Sequence, residues 1–354
     1  MTPAPGAGPR VLVSRTDRIG DVVLTLPLCG LLRETLGATV VFLGRPYTRP
    51  VLEAADAVDE VFDWDDRAPA ADQRALVAGA RADVVLHAFP RPAVAGAAWR
   101  AGVPLRVGTS RRWYHWFTCN RLEPLARRDS SWHEAQLNVR LARSLLPRVD
   151  QSPAELAAYG RLTPRASVPN ALQPLLAGDR FTLVVHPRSA GSAREWPLDA
   201  WGAFIAALPA ERFRVLVTGS ADEGRAIAGW TAALPAHAHD VTGRLSLAEL
   251  VAVLAAAGGV VAASTGPLHV AAAAGARTLG LFPPVRPIHP GRWAPLGPRA
   301  EVLVAPEPCE HHAGRARDAP CACMRAITPA AVRERVERWA LERSRERAAA
   351  PIGR

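Results

Sequence analysis

The stretch GGVVAASTGPLHVAAAAG, residues 258–275, predicts a strand, a tight turn and a helix in direct succession. Residues 260–263 form an apolar run of strand length, and the Ser-Thr-Gly of residues 264–266 interrupts it. Pro267 stands where a helix begins, a position that needs no backbone N–H. Such a turn aims backbone N–H groups and the positive helix end at one point, which is an arrangement that binds phosphate. A structural corner of any doubly wound domain shows the same pattern, so both interpretations stay open.

The same alternation of strands and helices runs through the rest of the chain. Strands are predicted at residues 10–14, 39–44, 58–64, 82–87, 181–187, 214–220 and 278–284, and helices at 22–37, 52–57, 198–208 and 222–234. This order predicts an α/β fold whose parallel sheets carry helices on both faces. Scattered prolines between residues 147 and 180 indicate a joint. We therefore expect domains over residues 1–165 and 180–354, a linker over 166–179, and a cleft between the two halves.

Composition narrows the chemistry that is open to the chain. It has 354 residues and a formal charge of +10, and all of its 43 basic residues are arginines. The lack of lysine excludes Schiff-base catalysis and a P-loop lysine, so phosphate contacts must come from arginine, hydroxyl groups or backbone. Five cysteines and the absence of a secretory pattern predict a cytoplasmic protein. Residues 250–276 are apolar, but glycines and Ser-Thr-Gly-Pro interrupt them, so a buried βα unit is predicted there and not a membrane span.

The turn after the first predicted strand, RTDRIGD at residues 15–21, contains one glycine. A dinucleotide-binding domain would carry G-x-G-x-x-G there, so hydride-transfer chemistry is disfavoured. The turn instead places two arginines and two acids at the carboxyl end of a strand, where doubly wound sheets bind their ligands. Asp21 lies near the start of the following helix. It is either a helix-capping residue or a member of a site, and its position alone leaves both open.

Basic and aromatic residues alternate in a window within residues 99–143. Its core includes Arg111, Arg112, Trp113 and Trp116. Three interpretations remain open: ordinary packing, an anionic acceptor or membrane surface, and a nucleic-acid groove. No nucleic-acid-binding motif accompanies the window, so no nucleic-acid partner is predicted.

Cysteines and histidines cluster near the end of the chain. They are Cys309, His311, His312, Cys321 and Cys323. Their spacing is not that of a standard zinc finger, so no metal site is predicted, and a structural metal is kept as the alternative.

Several motifs, in the same order along the chain, resemble those of the bacterial ADP-heptose:lipopolysaccharide heptosyltransferases of glycosyltransferase family 9. They are RTDRIGDVVLTLPL (15–28), HPRSAGSAREWPLDAWGAFIAAL (186–208), VTGSADEGR (217–225), TGRLSLAELVAVL (242–254) and ASTGPLHVAAAAGARTLGLFPP (263–284). The resemblance covers nearly the whole chain. It implies a GT-B fold of two Rossmann-like domains, an acceptor-side half over 1–165 and a nucleotide-sugar-binding half over 180–354. It also implies inverting, metal-independent transfer from a nucleotide-sugar, an ADP-linked heptose, with no further cofactor.

The resemblance also implies roles for individual residues. Asp21 matches the general base and Arg15 a basic residue beside it. The donor site would comprise Ser189, Arg194, Glu223, Leu245, Ser264, Thr265, Gly266, Pro267 and His269, with Arg194 on the donor phosphate. The basic-aromatic window is assigned from its composition and not from the resemblance: Arg111, Arg112, Trp113 and Trp116 are expected to meet the acceptor, a lipopolysaccharide core or related glycan, or the inner face of the inner membrane.

The sequence departs from the family pattern at Ser264, where well-studied heptosyltransferases carry Asp, and at Ala190, which replaces a hydroxyl residue. The loss of charge at Ser264 leaves the donor sugar open. A non-catalytic member, or one with another donor, that binds a nucleotide-sugar or an anionic glycolipid is the alternative.

Overall fold

The computed structural model describes residues 8–127, 131–286, 288–306 and 322–349. The chain separates into two compact units, unit 1 over residues 1–165 and unit 2 over residues 166–354. Residues 166–179, predicted as a linker, contain one turn of helix and belong with unit 2. Among the described residues, no helix is long and apolar enough to cross a bilayer.

Unit 1 is an alternating α/β unit. Its strands are β1 Arg10–Ser14, β2 Thr39–Gly44, β3 Glu60–Asp63, β4 Val84–His87, β5 Leu105–Thr109 and β6 Arg121–Glu123. Its α-helices are α1 Ile19–Val23, α2 Leu26–Leu36, α3 Arg49–Glu53, α4 Ala70–Gly79, α5 Pro92–Arg100, α6 His115–Thr118, α7 Glu134–Leu141 and α8 Pro153–Leu156. Short 3-10 turns cover Pro46–Thr48 and Ala157–Tyr159.

Unit 2 repeats this alternation. Its strands are β7 Phe181–His186, β8 Phe213–Val217, β9 Ala238–Asp240, β10 Gly259–Ala263, β11 Thr278–Phe282 and β12 Ala300–Val304. Its helices are α9 Gln173–Leu176, α10 Leu198–Ala206, α11 Ala221–Thr231, α12 Leu247–Ala256, α13 Gly266–Ala273, α14 Pro290–Trp293, α15 Ala322–Arg325 and α16 Pro329–Ala349.

The two sheets have the same strand order. The described strands pair in parallel as β3-β2-β1-β4-β5-β6 and as β9-β8-β7-β10-β11-β12, so the order reverses once in each sheet, between β1 and β4 and between β7 and β10. Doubly wound sheets bind ligands outside the carboxyl ends of the strands at this switch point. The turns after β1 and β10 are therefore the positions from which each sheet presents a site.

Buried apolar residues explain why these strands stay central. β1, β4, β7 and β10 are almost fully buried along their length, as expected for parallel strands that are covered on both faces. In unit 2, Trp196, Trp201 and Phe204 pack edge to face, and the Trp196 indole donates to the Ile327 carbonyl at 2.9 Å. This anchors the C-terminal helices against the sheet.

Two helix predictions for unit 1 were wrong in their extent. Residues 22–37 are not one helix: α1 ends at Val23 and α2 begins at Leu26, because Pro27 has no backbone N–H and starts a new first turn. Gly37 ends α2 with φ +60°, as a left-handed C-cap. The second helix covers Arg49–Glu53 and not 52–57, because Ala55 pairs with Leu162 in an antiparallel bridge.

Candidate functional site

A buried arginine organises the end of β1. Arg15 is 3% exposed, and each nitrogen of its guanidinium meets a carboxylate. Nε donates to Asp17 at 2.9 Å, Nη2 to Asp21, and Nη1 to Glu134 at 3.0 Å. Nη1 also reaches the carbonyl of Ala88 (3.3 Å), which follows the adjacent strand β4. Burial by itself lowers the pKa of Arg15, but the three carboxylates more than offset it and raise the pKa above its usual range, so Arg15 stays charged.

A second arginine completes this group, which we call the carboxylate cluster: Arg15, Asp17, Asp21, Arg127 and Glu134. Arg127 also bonds to Glu134, and it donates to Asn138 Oδ1 at 2.9 Å. The Asn138 amide donates to the Leu24 carbonyl and the Thr25 hydroxyl, at 3.0 and 3.1 Å. The cluster therefore ties the break between α1 and α2 to helix α7.

Asp17 and Asp21 are the two carboxylates of the cluster that solvent reaches. Their side chains are 15% and 19% exposed, against 1% for Glu134. Burial is the main cause that raises the pKa of Asp17, to about 6; Arg15 lowers it and the Asp21 carboxylate raises it further. Three carboxylates keep Arg15 charged. The single guanidinium of Arg15 is shared among these three acids, so its charge does not fully offset the effect of burial on the pKa of Asp17.

The interpretation of Asp21 as the cap of the first helix is wrong. The N-cap of α1 is Arg18, whose backbone is extended (φ −88°, ψ 157°) and whose side chain makes no capping bond. Asp21 lies in the first turn of α1, and its carboxylate is bonded to Arg15. A negative charge is favourable in the first turn of a helix, but the partner of this carboxylate is a cation from the preceding strand end.

In unit 2, the turn after β10 presents the start of α13. The N-cap Thr265 is 3% exposed, and within the described chain its hydroxyl oxygen is buried without a hydrogen-bond partner. Helix α13 begins at Gly266, with Pro267 in its first turn and no side-chain cap. The N–H groups of a first helical turn have no intrahelical acceptor. The turn therefore offers backbone donors, a buried hydroxyl and the positive helix end to an anion.

The loop after β7 starts beside this turn, because His186 pairs with Ala262 across the sheet. In this loop the backbone N–H and the hydroxyl of Ser189 lie 2.7 and 2.9 Å from Glu195 Oε1. Ala190 has φ +44°, an uncommon left-handed conformation for a residue other than glycine. Arg194, in the same loop, is 7% exposed. The loop is folded upon its own hydrogen bonds at the edge where α13 begins.

The other predicted donor residues are dispersed around the same sheet edge. Glu223 forms a capping box at the start of α11: its Oε2 accepts from the Ser220 N–H at 2.7 Å. Leu245 is half-buried just before α12, Ser264 is half-buried after β10, and His269 is buried within α13. The predicted contacts of these residues with a donor stay predictions.

The basic-aromatic window is not packed as a core. Trp113 and Trp116 are 75% and 63% exposed, and Arg111 and Arg112 are exposed as well. The packing interpretation is therefore wrong for these two tryptophans.

Four members of the predicted cysteine-histidine cluster, Cys309, His311, His312 and Cys321, lie outside the described residues; Cys323 is buried. Within the described ranges, no group of three or more His, Cys, Asp or Glu is arranged to hold a metal.

The comparisons with known proteins identify the family of this chain and its fold. The sequence profile of glycosyltransferase family 9 (heptosyltransferase) matches residues 134–322, more than half of the chain. The chain belongs to glycosyltransferase family 9. It is a transferase. A Haemophilus influenzae protein with a provisional description as a glycosyltransferase is 26% identical over 302 residues, 81% of this chain and 86% of its own length.

Solved structures of this family share the fold, two Rossmann-like halves of the GT-B type. The family 9 glycosyltransferase of Veillonella parvula has a TM-score of 0.74 at 17% identity and covers 95% of this chain and 98% of its own. E. coli ADP-heptose lipopolysaccharide heptosyltransferase II has 0.74 at 21% identity, with 95% and 99% covered. E. coli heptosyltransferase WaaC with ADP has 0.71 at 20%, with 93% and 99% covered. The α/β GT-B prediction is confirmed.

Sequence reasoning missed part of the carboxylate cluster of this family 9 glycosyltransferase. Glu134 and Asn138 lie 119 and 123 positions from Arg15, and no pattern in the sequence links them to it. Arg127 was visible only as one basic residue among several between residues 99 and 143. No helix was predicted there; in the structure Glu134 and Asn138 are i and i+4 in α7, so they lie on one face of it.

Proposed function

We propose that this family 9 glycosyltransferase moves a heptose from an ADP-linked donor to a lipopolysaccharide core or a related glycan, with inversion and without a metal ion. The observation that carries the proposal is the Arg15–Asp21 pair at the switch point of unit 1. It is a partly exposed carboxylate held in one orientation by a buried cation. Related structures support the donor class: one is an ADP-heptose lipopolysaccharide heptosyltransferase, and another, WaaC, was solved with ADP.

Unit 1 supplies the base in this mechanism. Asp21 takes the proton of an acceptor hydroxyl as its oxygen bonds to the anomeric carbon of the donor sugar. The bond from that carbon to the diphosphate breaks in the same displacement, so the configuration inverts. Arg15 keeps the carboxylate oriented. It takes no part in the proton transfer, because its guanidinium remains protonated throughout.

Unit 2 supplies the charge that the leaving nucleoside diphosphate requires. The N–H groups at the start of α13, the Thr265 hydroxyl and the Arg194 guanidinium are suited to bind phosphate oxygens. Negative charge grows on the diphosphate as the bond breaks, so these donors stabilise the transition state more than the bound donor. Arginine and backbone dipoles can perform this role in a metal-independent transferase.

A different donor is the second candidate, and Ser264 is the residue that favours it. Ser264 follows β10 directly and is half-buried beside Thr265, where the family resemblance places Asp against the donor sugar. Serine keeps a hydrogen-bonding group but lacks the charge. If heptose is the natural donor, Ser264→Asp should retain or improve its transfer; if another sugar is natural, the same substitution should impair transfer of that sugar.

A nucleotide-sugar screen tests the proposal. Thermal shift with ADP-, GDP- and UDP-sugars identifies the donor, and transfer to a truncated lipopolysaccharide core is then followed with and without EDTA. We expect stabilisation by ADP-heptose, an inverted product by NMR and unchanged turnover in EDTA. Stabilisation without transfer to any glycan acceptor would indicate the non-catalytic alternative. Stabilisation by a GDP- or UDP-sugar alone would overturn the ADP-linked donor.

A further inference from the structure

Three large apolar side chains of unit 1 are exposed within one turn of chain. Trp113, Trp116 and Phe117 are 75%, 63% and 75% exposed. We call these three residues the aromatic patch. Single exposed apolar side chains are ordinary on protein surfaces, but contiguous large ones mark an interaction site. The patch is not used by the transfer chemistry above.

A buried histidine fixes the helix that carries the patch. His115 begins α6 and is fully buried, with Nδ1 3.0 Å from the Thr109 carbonyl oxygen. Its ring stacks on that of His87 at the end of β4, with centroids 5.4 Å apart. A Cβ at Gly108 would lie 2.5 Å from His115 Nδ1, so β5 and this ring are in close contact. Helix α6 is therefore anchored by His115, while Trp113, Trp116 and Phe117 are exposed.

The aromatic rings are held by local contacts. Trp113 and Phe117 meet edge to face, with centroids 6.5 Å apart and planes at 68°. The Trp116 indole N–H donates to the Ser110 carbonyl at 3.0 Å. That bond satisfies the polar atom of Trp116 within the protein, so the rest of the ring offers an apolar surface. These two contacts position the rings of the patch, whose exposed faces form an apolar surface.

The surroundings of the patch are strongly basic. Residues 88–127 contain seven arginines and one acidic residue, Glu123, which is buried. Arg111 and Arg112 directly precede the patch and are exposed. Both also line a pocket of about 400 Å³, together with Pro90, Thr109, Leu125, Ala126 and Arg127. An apolar projection beside a cationic pocket fits a partner with an apolar interior and an anionic surface.

We propose that the aromatic patch, with Arg111 and Arg112, docks unit 1 onto a bilayer that contains anionic lipids. The rings of Trp113, Trp116 and Phe117 insert at headgroup depth, and the two arginines bind lipid phosphates. Tryptophan and phenylalanine with flanking arginines are the composition of interfacial membrane segments. Three exposed apolar side chains lie within five residues, two of them on α6, whereas single-stranded nucleic acid needs stacking platforms spaced along a groove. The docking proposal is independent of the proposed sugar transfer. Its test measures vesicle binding and not turnover, so either proposal can fail without the other.

Co-sedimentation of the full chain with vesicles tests the proposal. We expect the parent to bind vesicles of equimolar phosphatidylglycerol and phosphatidylcholine, and not phosphatidylcholine alone, with binding that weakens as salt increases. Arg111→Ala/Arg112→Ala should bind about 25-fold less tightly, since each arginine near an anionic surface contributes about fivefold. Trp113→Ser/Trp116→Ser/Phe117→Ser should lose about tenfold or more. Brominated lipids should quench the parent more than Trp113→Phe/Trp116→Phe.

Two matched controls remove equivalent groups elsewhere. Arg67→Ala/Arg74→Ala removes two exposed arginines of unit 1, and Leu341→Ser removes an exposed apolar side chain of α16. Both should bind the anionic vesicles like the parent, and all variants should melt near the parent. Parental binding by both patch variants would overturn the proposal. Arginine-dependent binding of an RNA oligonucleotide without vesicle binding would assign the surface to nucleic acid. Self-association that the aromatic variant alone abolishes, again without vesicle binding, would assign it to a second copy of the chain.

Discussion

Asp21 accepts a hydrogen bond from Arg15, six positions earlier in the chain, and the two side chains differ in exposure, 19% against 4%. The cation is buried behind the acid, and Glu134 holds it there from helix α7. A carboxylate with one oxygen fixed from the protein side can turn its other lone pairs to a ligand. Such preorganisation is what a general base needs.

We expect Asp21→Asn to lose about 10²–10⁴-fold in turnover, the usual contribution of a positioned base. Asparagine keeps the size of the side chain and an oxygen for Arg15, so melting temperature and nucleotide-sugar binding should stay near the parental values. Asp17→Asn is the matched control, because Asp17 is the other partly exposed carboxylate on Arg15. Near-parental turnover of Asp21→Asn, or a larger loss in Asp17→Asn, would remove Asp21 from its role.

The raised pKa of Asp17 predicts a pH dependence of stability. Its pKa is about 6 in the folded protein against 3.8 for an aspartate in water, so between these values the folded state binds more protons than the unfolded state. The contribution of Asp17 to the free energy of unfolding is therefore present below about pH 4 and is lost as the pH rises through 6, by up to about 3 kcal/mol.

Urea unfolding of the parent and of Asp17→Asn, from pH 4 to pH 7, measures this contribution. The asparagine variant should gain stability relative to the parent as the pH increases. A difference between the two proteins that is constant with pH would show that Asp17 titrates at its ordinary pKa. The two proteins are compared through the difference in their free energies of unfolding. Buried His87, whose pKa burial lowers to about 3, makes both proteins more stable as the pH rises, and the difference removes this shared effect.

Arg194→Ala should weaken ADP binding at least tenfold, because a charge-assisted hydrogen bond contributes roughly 1.5–3 kcal/mol. Arg194 is 7% exposed in the loop beside α13, and the chain has no lysine that could replace it. Arg225→Ala removes an exposed arginine of α11 in the same unit and should leave the affinity unchanged. Calorimetry on both variants makes the comparison, and equal ADP affinity would exclude Arg194 from the donor site.

Arg15→Gln should destabilise the protein by about 3–5 kcal/mol, because it leaves the carboxylate cluster short of a buried cation. Arg148→Gln is the control: Arg148 also pairs with two acids, Asp150 and Glu155, but at the surface, and its loss should change the urea midpoint little. Equal midpoints for the two variants would mean that the cluster does not depend on Arg15.

The sequence by itself determined the fold class and the position of the turn that starts each candidate site. Alternating apolar runs and helical segments required parallel sheets, and the turns at residues 15–21 and 264–266 had to lie at strand carboxyl ends, because chain order alone places a turn directly after its strand. The observed strands Arg10–Ser14 and Thr39–Gly44 match their predicted bounds. Local patterns carry this information because strand and helix periods are written in neighbouring residues.

Only the tertiary structure decided which side chains complete the cluster and which stay outside. Arg15 meets Glu134 and Asn138 because strand order brings β1 beside β4 and the chain then returns through α7, a long-range contact that no local period encodes. That Asp21 bonds to Arg15 and does not cap α1 likewise depended on where the Arg15 guanidinium points. Trp113 and Trp116 are large apolar residues of a kind that is often buried, yet both are exposed. His115, which lies between them in the sequence, is buried and anchors the helix. Burial is decided by what packs against a segment, and that is settled only when distant elements meet.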